Sequence, residues 1–136
     1  MNIFVVEDMP RAVEELAAEL WRRHPTETVL HCATAAKAHE MLSRLWRDGD
    51  IIILDRDDGT GDSFHQCVPI GAWQRAISIS VVGDWNAIAL FKGSPALIPK
   101  DYKDLAGWSV QVVDKIDKLF FPDRPRLKKR SKAGGR

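Results

Sequence analysis

Cysteine is scarce in this chain: Cys32 and Cys67 are the only two among 136 residues. So few thiols argue against a disulfide-stapled scaffold and suit two free cysteines in a reducing compartment, so a cytoplasmic setting is expected. Long apolar runs are missing as well. No stretch approaches the roughly 20 consecutive apolar residues of a membrane helix, and the opening MNIFVV lacks the basic segment that begins a secretory signal. Neither a Walker-type nor a dinucleotide-binding glycine loop occurs, which removes the common nucleotide-binding classes. His31, Cys32, His65 and Cys67 match no zinc spacing and are expected to be packing residues.

What is present is the composition of a globular domain. Hydrophobic residues make up 45% and charged residues 29% of the chain, enough for one core at this length. The net charge of +1 hides an asymmetry. From Pro122 to Arg136 seven basic residues face one acid, a net of +6, so residues 1–121 carry −5. The expected organisation is a folded acidic domain over 1–121 and a disordered basic tail over 122–136. Nucleic acid would meet only the tail, and no membrane contact is expected.

The apolar pattern alternates between two periods. NIFVV at 2–6 reads as a buried strand. Pro10 then suits the first turn of a helix whose Val13, Leu16, Ala17, Leu20 and Trp21 share one face. A second strand at 27–32 precedes a helix from about Thr34 to Trp46, buried through Ala35, Ala38, Met41, Leu42 and Leu45. The third strand is Asp50–Leu54. Pro69 and Gly71 interrupt 62–72, which is expected to be turns and loop. A fourth strand at 76–82 leads to a short helix capped by Asp84 and stopped by Gly93. A fifth strand at 96–99 and a helix over about 103–120, its apolar face carried by Leu105, Trp108, Val112, Val113, Ile116, Leu119 and Phe120, complete the domain. Strands alternating with helices predict an α/β fold with a parallel sheet covered on both faces, in the flavodoxin-like (βα)5 order 2-1-3-4-5.

In such a sheet a ligand site lies beyond the carboxyl ends of the strands. There the sequence concentrates charge: Glu7 and Asp8 after strand 1, Asp55 with Asp57 and Asp58 after strand 3, Ser78 or Ser80 on strand 4, and Lys100 after strand 5. Crowded carboxylates repel unless a cation offsets them. A small hard divalent ion such as Mg²⁺ suits oxygen donors of this kind.

These residues carry a family resemblance across about residues 2 to 120. FVVEDMPRAVEEL, IIILDRD and ALIPKD resemble the acidic pair, the phosphoacceptor strand and the lysine strand of response-regulator receiver domains, the proteins of two-component signal transduction. Ser78 lies 22 residues before Lys100, the usual receiver interval, and Gly93 precedes strand 5 as in many receivers. The resemblance implies that Asp55 accepts a phosphoryl group and that Asp8 holds Mg²⁺ directly. It implies Glu7 holding the ion mainly through water and Asp57 lending its backbone carbonyl. Ser78 and Lys100 would contact phosphoryl oxygens, with Ser80 the alternative hydroxyl. A histidine kinase or phosphotransfer protein would be the donor, and output would pass through contacts with a downstream protein. The loop LDRDDGTGDSF is similar to that of a divergent branch, the cyclic-phosphate processing receivers, which implies a phosphoesterase as the alternative. A pseudo-receiver that only binds a partner is the third reading.

Overall fold

The computed structural model describes residues 1–60 and 63–122. Its five strands are β1 (Asn2–Val6), β2 (Thr28–Cys32), β3 (Ile51–Leu54), β4 (Ala76–Ser78) and β5 (Ala96–Leu97). All pairings are parallel and the order is β2-β1-β3-β4-β5, the predicted flavodoxin-like topology. Four helices accompany them: α1 (Pro10–Arg23), α2 (Ala35–Leu45), α3 (Gly83–Lys92) and α4 (Leu105–Phe120).

Strand alternation divides the core into two layers. Ile3, Val5, Ile51, Ile53 and Ile77 face α1 and α4, packing on Leu16, Leu20, Trp108, Val112 and Ile116. Phe4, Val6, Ile52, Leu54 and Ala76 face the other way, onto Ala38, Met41, Leu42 and Phe64. Because β1 and β3 are buried on both sides, they read as unbroken apolar runs. Local signals set the helix starts. Pro10 opens α1, Thr34 accepts from Lys37 N at 3.1 Å, and Asp104 accepts from Gly107 N at 2.9 Å.

As expected, the third crossover holds turns and loop, with two short 3-10 turns, Phe64–Cys67 and Trp73–Arg75, because Pro69 removes a donor and Gly71 bends the chain at φ +83°. Other expectations are corrected. Val82, not Asp84, is the N-cap of α3, and Asp84 lies within its first turn. Strand pairing in β4 and β5 stops sooner than predicted, although Ile79 and Ser80 remain buried. Trp21 is 59% exposed and Leu119 is 38% exposed. Each sits at the margin of its helix's apolar stripe, where periodicity alone does not say how far the neighbouring layer reaches. The tail at 123–136 lies outside the described residues. No helix among the described residues is long and apolar enough to cross a membrane.

Candidate functional site

Parallel strands all deliver their carboxyl ends to one rim, so residues just beyond β1, β3 and β5 meet there. Asp55 N donates to Val6 O at 3.0 Å, which sets the end of β3 beside that of β1. Lys100 N donates to Ile79 O at 3.2 Å and brings the lysine in from the far side. Its ammonium donates to Glu7 Oε1 at 2.5 Å and Asp55 Oδ2 at 2.7 Å. One carboxylate oxygen from each of Glu7, Asp8 and Asp55 lies within 4.8 Å of the other two.

The electrostatics follow from this crowding. Glu7 is fully buried, and burial together with the neighbouring Asp55 pushes its pKa up to about 7, against the opposing Lys100 and the Met9 N–H. Burial works against the charge on Lys100, but its hydrogen bonds to Asp55 and Glu7 win and raise its pKa. Among the described residues, the Lys100 ammonium pairs with two of the three carboxylates, leaving an excess of negative charge. A hard divalent cation fits that donor set of oxygens. Room for it is kept by Gly59, whose φ is +81°: a Cβ there would stand 2.8 Å from Asp8 Oδ2.

Glu7, Asp8, Asp55 and Lys100 are thus brought together, as predicted. The other acids of the loop serve the loop itself. Asp57 Oδ1 accepts from Gly59 N at 3.0 Å and its other oxygen pairs with Arg56 at 2.6 Å. Asp58 accepts from Thr60 N at 3.0 Å and from Ala35 N at 3.0 Å, tying the turn to the start of α2. Ser78 ends β4 opposite Leu54, one residue short of Asp55. Its hydroxyl donates to Asn86 Oδ1 at 2.8 Å, so its single proton is engaged there. The Ser80 hydroxyl accepts from Val82 N at 3.1 Å.

Sequence reasoning missed Asn86 beside the cluster and named its neighbour His65 only as a packing residue. Asn86 interrupts the apolar run of α3, and that polar residue in an apolar segment was its only signal. His65 is reached by a reversal of the chain: Asp57 bridges Ser63 in antiparallel fashion and Phe64 N donates to Arg56 O at 3.0 Å. The imidazole lies against Trp85 at 4.4 Å and edge-on to Trp73 at 4.9 Å. Among the described residues, both His65 ring nitrogens and Trp85 Nε1 are buried without a partner, an arrangement that costs about 1–3 kcal/mol per group. Burial, reinforced by Lys92 and only partly opposed by Asp55, pushes the His65 pKa down to about 4. A cleft of about 280 Å³, lined by Arg56, Asp57, Ser63 and Trp85, opens next to this stack.

No protein-family model matches the chain, and no curated protein matches it. Solved structures do. The phosphorylated cyanobacterial phytochrome response regulator RcpA superposes with a TM-score of 0.70 at 16% identity, covering 93% of this chain and 98% of its own. The Mn²⁺-bound response regulator Rcp1 gives 0.66 at 13% identity, covering 93% and 99%. The Thermotoga maritima response regulator TrrA, bound to Mg²⁺ and beryllofluoride, gives 0.63 at 17% identity, covering 87% and 97%. At these identities the likeness establishes the fold: the chain has the fold of response-regulator receiver domains over nearly its whole described length.

Proposed function

We propose that the chain is a phosphoryl-accepting signalling switch with Asp55 as the acceptor. The observation that carries this reading is the Lys100 ammonium seated between Glu7 and Asp55, with Asp8 completing a triad of carboxylates. Asp55 attacks the phosphorus of a donor, the bond from phosphorus to the leaving group breaks, and an acyl phosphate forms. Lys100 stabilises charge on the phosphoryl oxygens, and Ser78 supplies a hydroxyl to another oxygen. Mg²⁺, held by Glu7, Asp8, Asp55 and the Asp57 carbonyl, would neutralise charge on the transferring group. The donor is a histidine kinase or phosphotransfer protein. Val82, Leu90, Phe91 and Tyr102 are exposed apolar side chains around α3 and β5, and they form the surface offered to a downstream protein.

The test is incubation with acetyl phosphate and Mg²⁺ followed by intact mass. The expected result is a gain of about 80 Da, one phosphoryl group, absent in Asp55→Asn. The cleft beside Trp85 favours a second reading, processing of a cyclic or ester phosphate, because it leaves room for the organic part of such a substrate. Turnover of a 2′,3′-cyclic phosphate without any adduct selects that reading. Neither adduct nor turnover selects a pseudo-receiver that binds a partner only.

A further inference from the structure

The first turn of α3 is held on two sides, and the two holds differ in kind. On one side Asn86, 8% exposed, makes a complete bridge to the end of β4. Its Oδ1 accepts from the Ser78 hydroxyl at 2.8 Å and its Nδ2 donates to Ser80 O at 2.9 Å. On the other side Trp85, the adjacent residue, lies on His65, and among the described residues neither ring makes a hydrogen bond. One contact is specific and satisfied. The other is apolar and leaves three buried nitrogens without partners.

A serine hydroxyl carries a single proton and can donate to one acceptor at a time. Ser78 therefore cannot serve Asn86 and a phosphoryl oxygen at Asp55 together. We infer that Asn86 is a positioning residue that latches Ser78 in the resting state, and that turning the Ser78 hydroxyl to donate its hydrogen bond to a phosphoryl oxygen instead releases the first turn of α3. This rests on the switch reading above. Once Ser78 leaves, Asn86 Oδ1 loses its buried partner and the amide must find another. Trp85 moves with it, because nothing polar fixes the indole against His65. The displacement then reaches the exposed Leu90 and Phe91 on the same helix.

The probe is beryllofluoride with saturating Mg²⁺, titrated into the full chain labelled with 5-fluorotryptophan. Fluorine resonances resolve the five tryptophans, and Trp85→Phe assigns the one that matters. In the native protein the Trp85 signal should shift on binding. Asn86→Ala should shift it partway without any ligand and lower the half-saturating beryllofluoride concentration about 2- to 10-fold, the range for one neutral hydrogen bond. Asn86→Asp, which keeps an acceptor for Ser78, should bind no more tightly than the native protein. Ser78→Ala combined with Asn86→Ala should bind no more tightly than Ser78→Ala alone, which general loosening of the fold would not produce. Asn86→Ser replaces Asn86→Ala if the latter does not fold. Unchanged or weaker binding in Asn86→Ala, with native binding intact, overturns the latch and leaves the switch reading standing. Absence of any beryllofluoride response in the native protein overturns both.

Discussion

Two ionic clusters sit at opposite ends of the sheet, one buried and one partly exposed, and they hold their carboxylates to opposite effect. Around the carboxyl rim, one Lys100 faces Glu7, Asp8 and Asp55. At the other end, where α1 and α4 finish, Arg23 binds Glu19 at 2.6 Å, Asp114 at 2.5 Å and Asp117 at 3.2 Å. Arg22 also pairs with Glu19 at 2.6 Å and His24 meets Asp117 at 2.5 Å. Glu7 is fully buried and Glu19 partly so. Burial raises both, but at Glu19 the hydrogen bonds from Arg22 and Arg23 outweigh it and hold the pKa below the usual carboxylate range. At Glu7 burial and Asp55 prevail over one lysine. Burial alone does not make a site; a shortage of countercharge does. The rear cluster closes the fold, while the rim keeps a demand for a cation.

The sharpest way to break this comparison is to remove one cation from each end. Lys100→Met leaves Glu7 and Asp55 buried without countercharge and should cost about 3–5 kcal/mol, recovered in part by millimolar Mg²⁺. Arg23→Met should cost less, about 1–3 kcal/mol, because Arg22 and His24 stay in place. It should be indifferent to Mg²⁺. Urea unfolding of both variants with and without Mg²⁺ decides it, and an equal Mg²⁺ response at the two ends would erase the distinction.

Acidity sharpens it next, through two buried groups of opposite sign. Glu7 has its folded pKa raised from 4.5 to about 7, so its contribution is fully present below pH 4.5 and lost as pH rises to about 7. His65 has its folded pKa lowered from 6.5 to about 4, so its contribution is present above pH 6.5 and lost as pH falls toward 4. Each amounts to about 3 kcal/mol at most. In the native metal-free protein the two slopes oppose each other. Glu7→Gln should expose a stability that climbs from pH 4 to 6.5, and His65→Phe one that declines from pH 4.5 to 7. Denaturant midpoints across that range in both variants are the check. A slope of the wrong sign in either assigns the titration elsewhere.

A further test concerns metal affinity and pH together. Since a cation must displace the proton held by Glu7, Mg²⁺ affinity should rise with pH toward and through about 7. Glu7→Gln should flatten that rise, as read by calorimetric titration at several pH values.

The smallest expected effect concerns Gly59. Gly59→Ala places a residue at φ +81° and a methyl 2.8 Å from Asp8 Oδ2. It should cost about 1 kcal/mol of stability and weaken Mg²⁺ binding severalfold. Gly71→Ala carries the same backbone strain at φ +83° but meets nothing within 4 Å, so it should leave Mg²⁺ affinity unchanged. Equal losses of affinity in the two would show that strain, not crowding of Asp8, governs the site.

Local pattern by itself determined the order of strands and helices, because one-sided and two-sided burial leave different periods in the chain. It also determined that Glu7, Asp8, Asp55 and Lys100 follow strands. Given a parallel sheet, that is enough to bring them to one rim. Tertiary structure alone decided what the side chains of the other two clustered acids do: Asp57 and Asp58 are engaged by Gly59, Arg56 and the start of α2. It decided that Trp21 faces outward and that His65 returns beside β3 through a reversal of the loop. It also decided that Ser78 donates to Asn86. A periodic pattern records how each element meets the core, but a hydrogen bond depends on where two distant backbones finally lie. Ser78 and Asn86 are joined across a turn whose geometry no single stretch of the chain specifies.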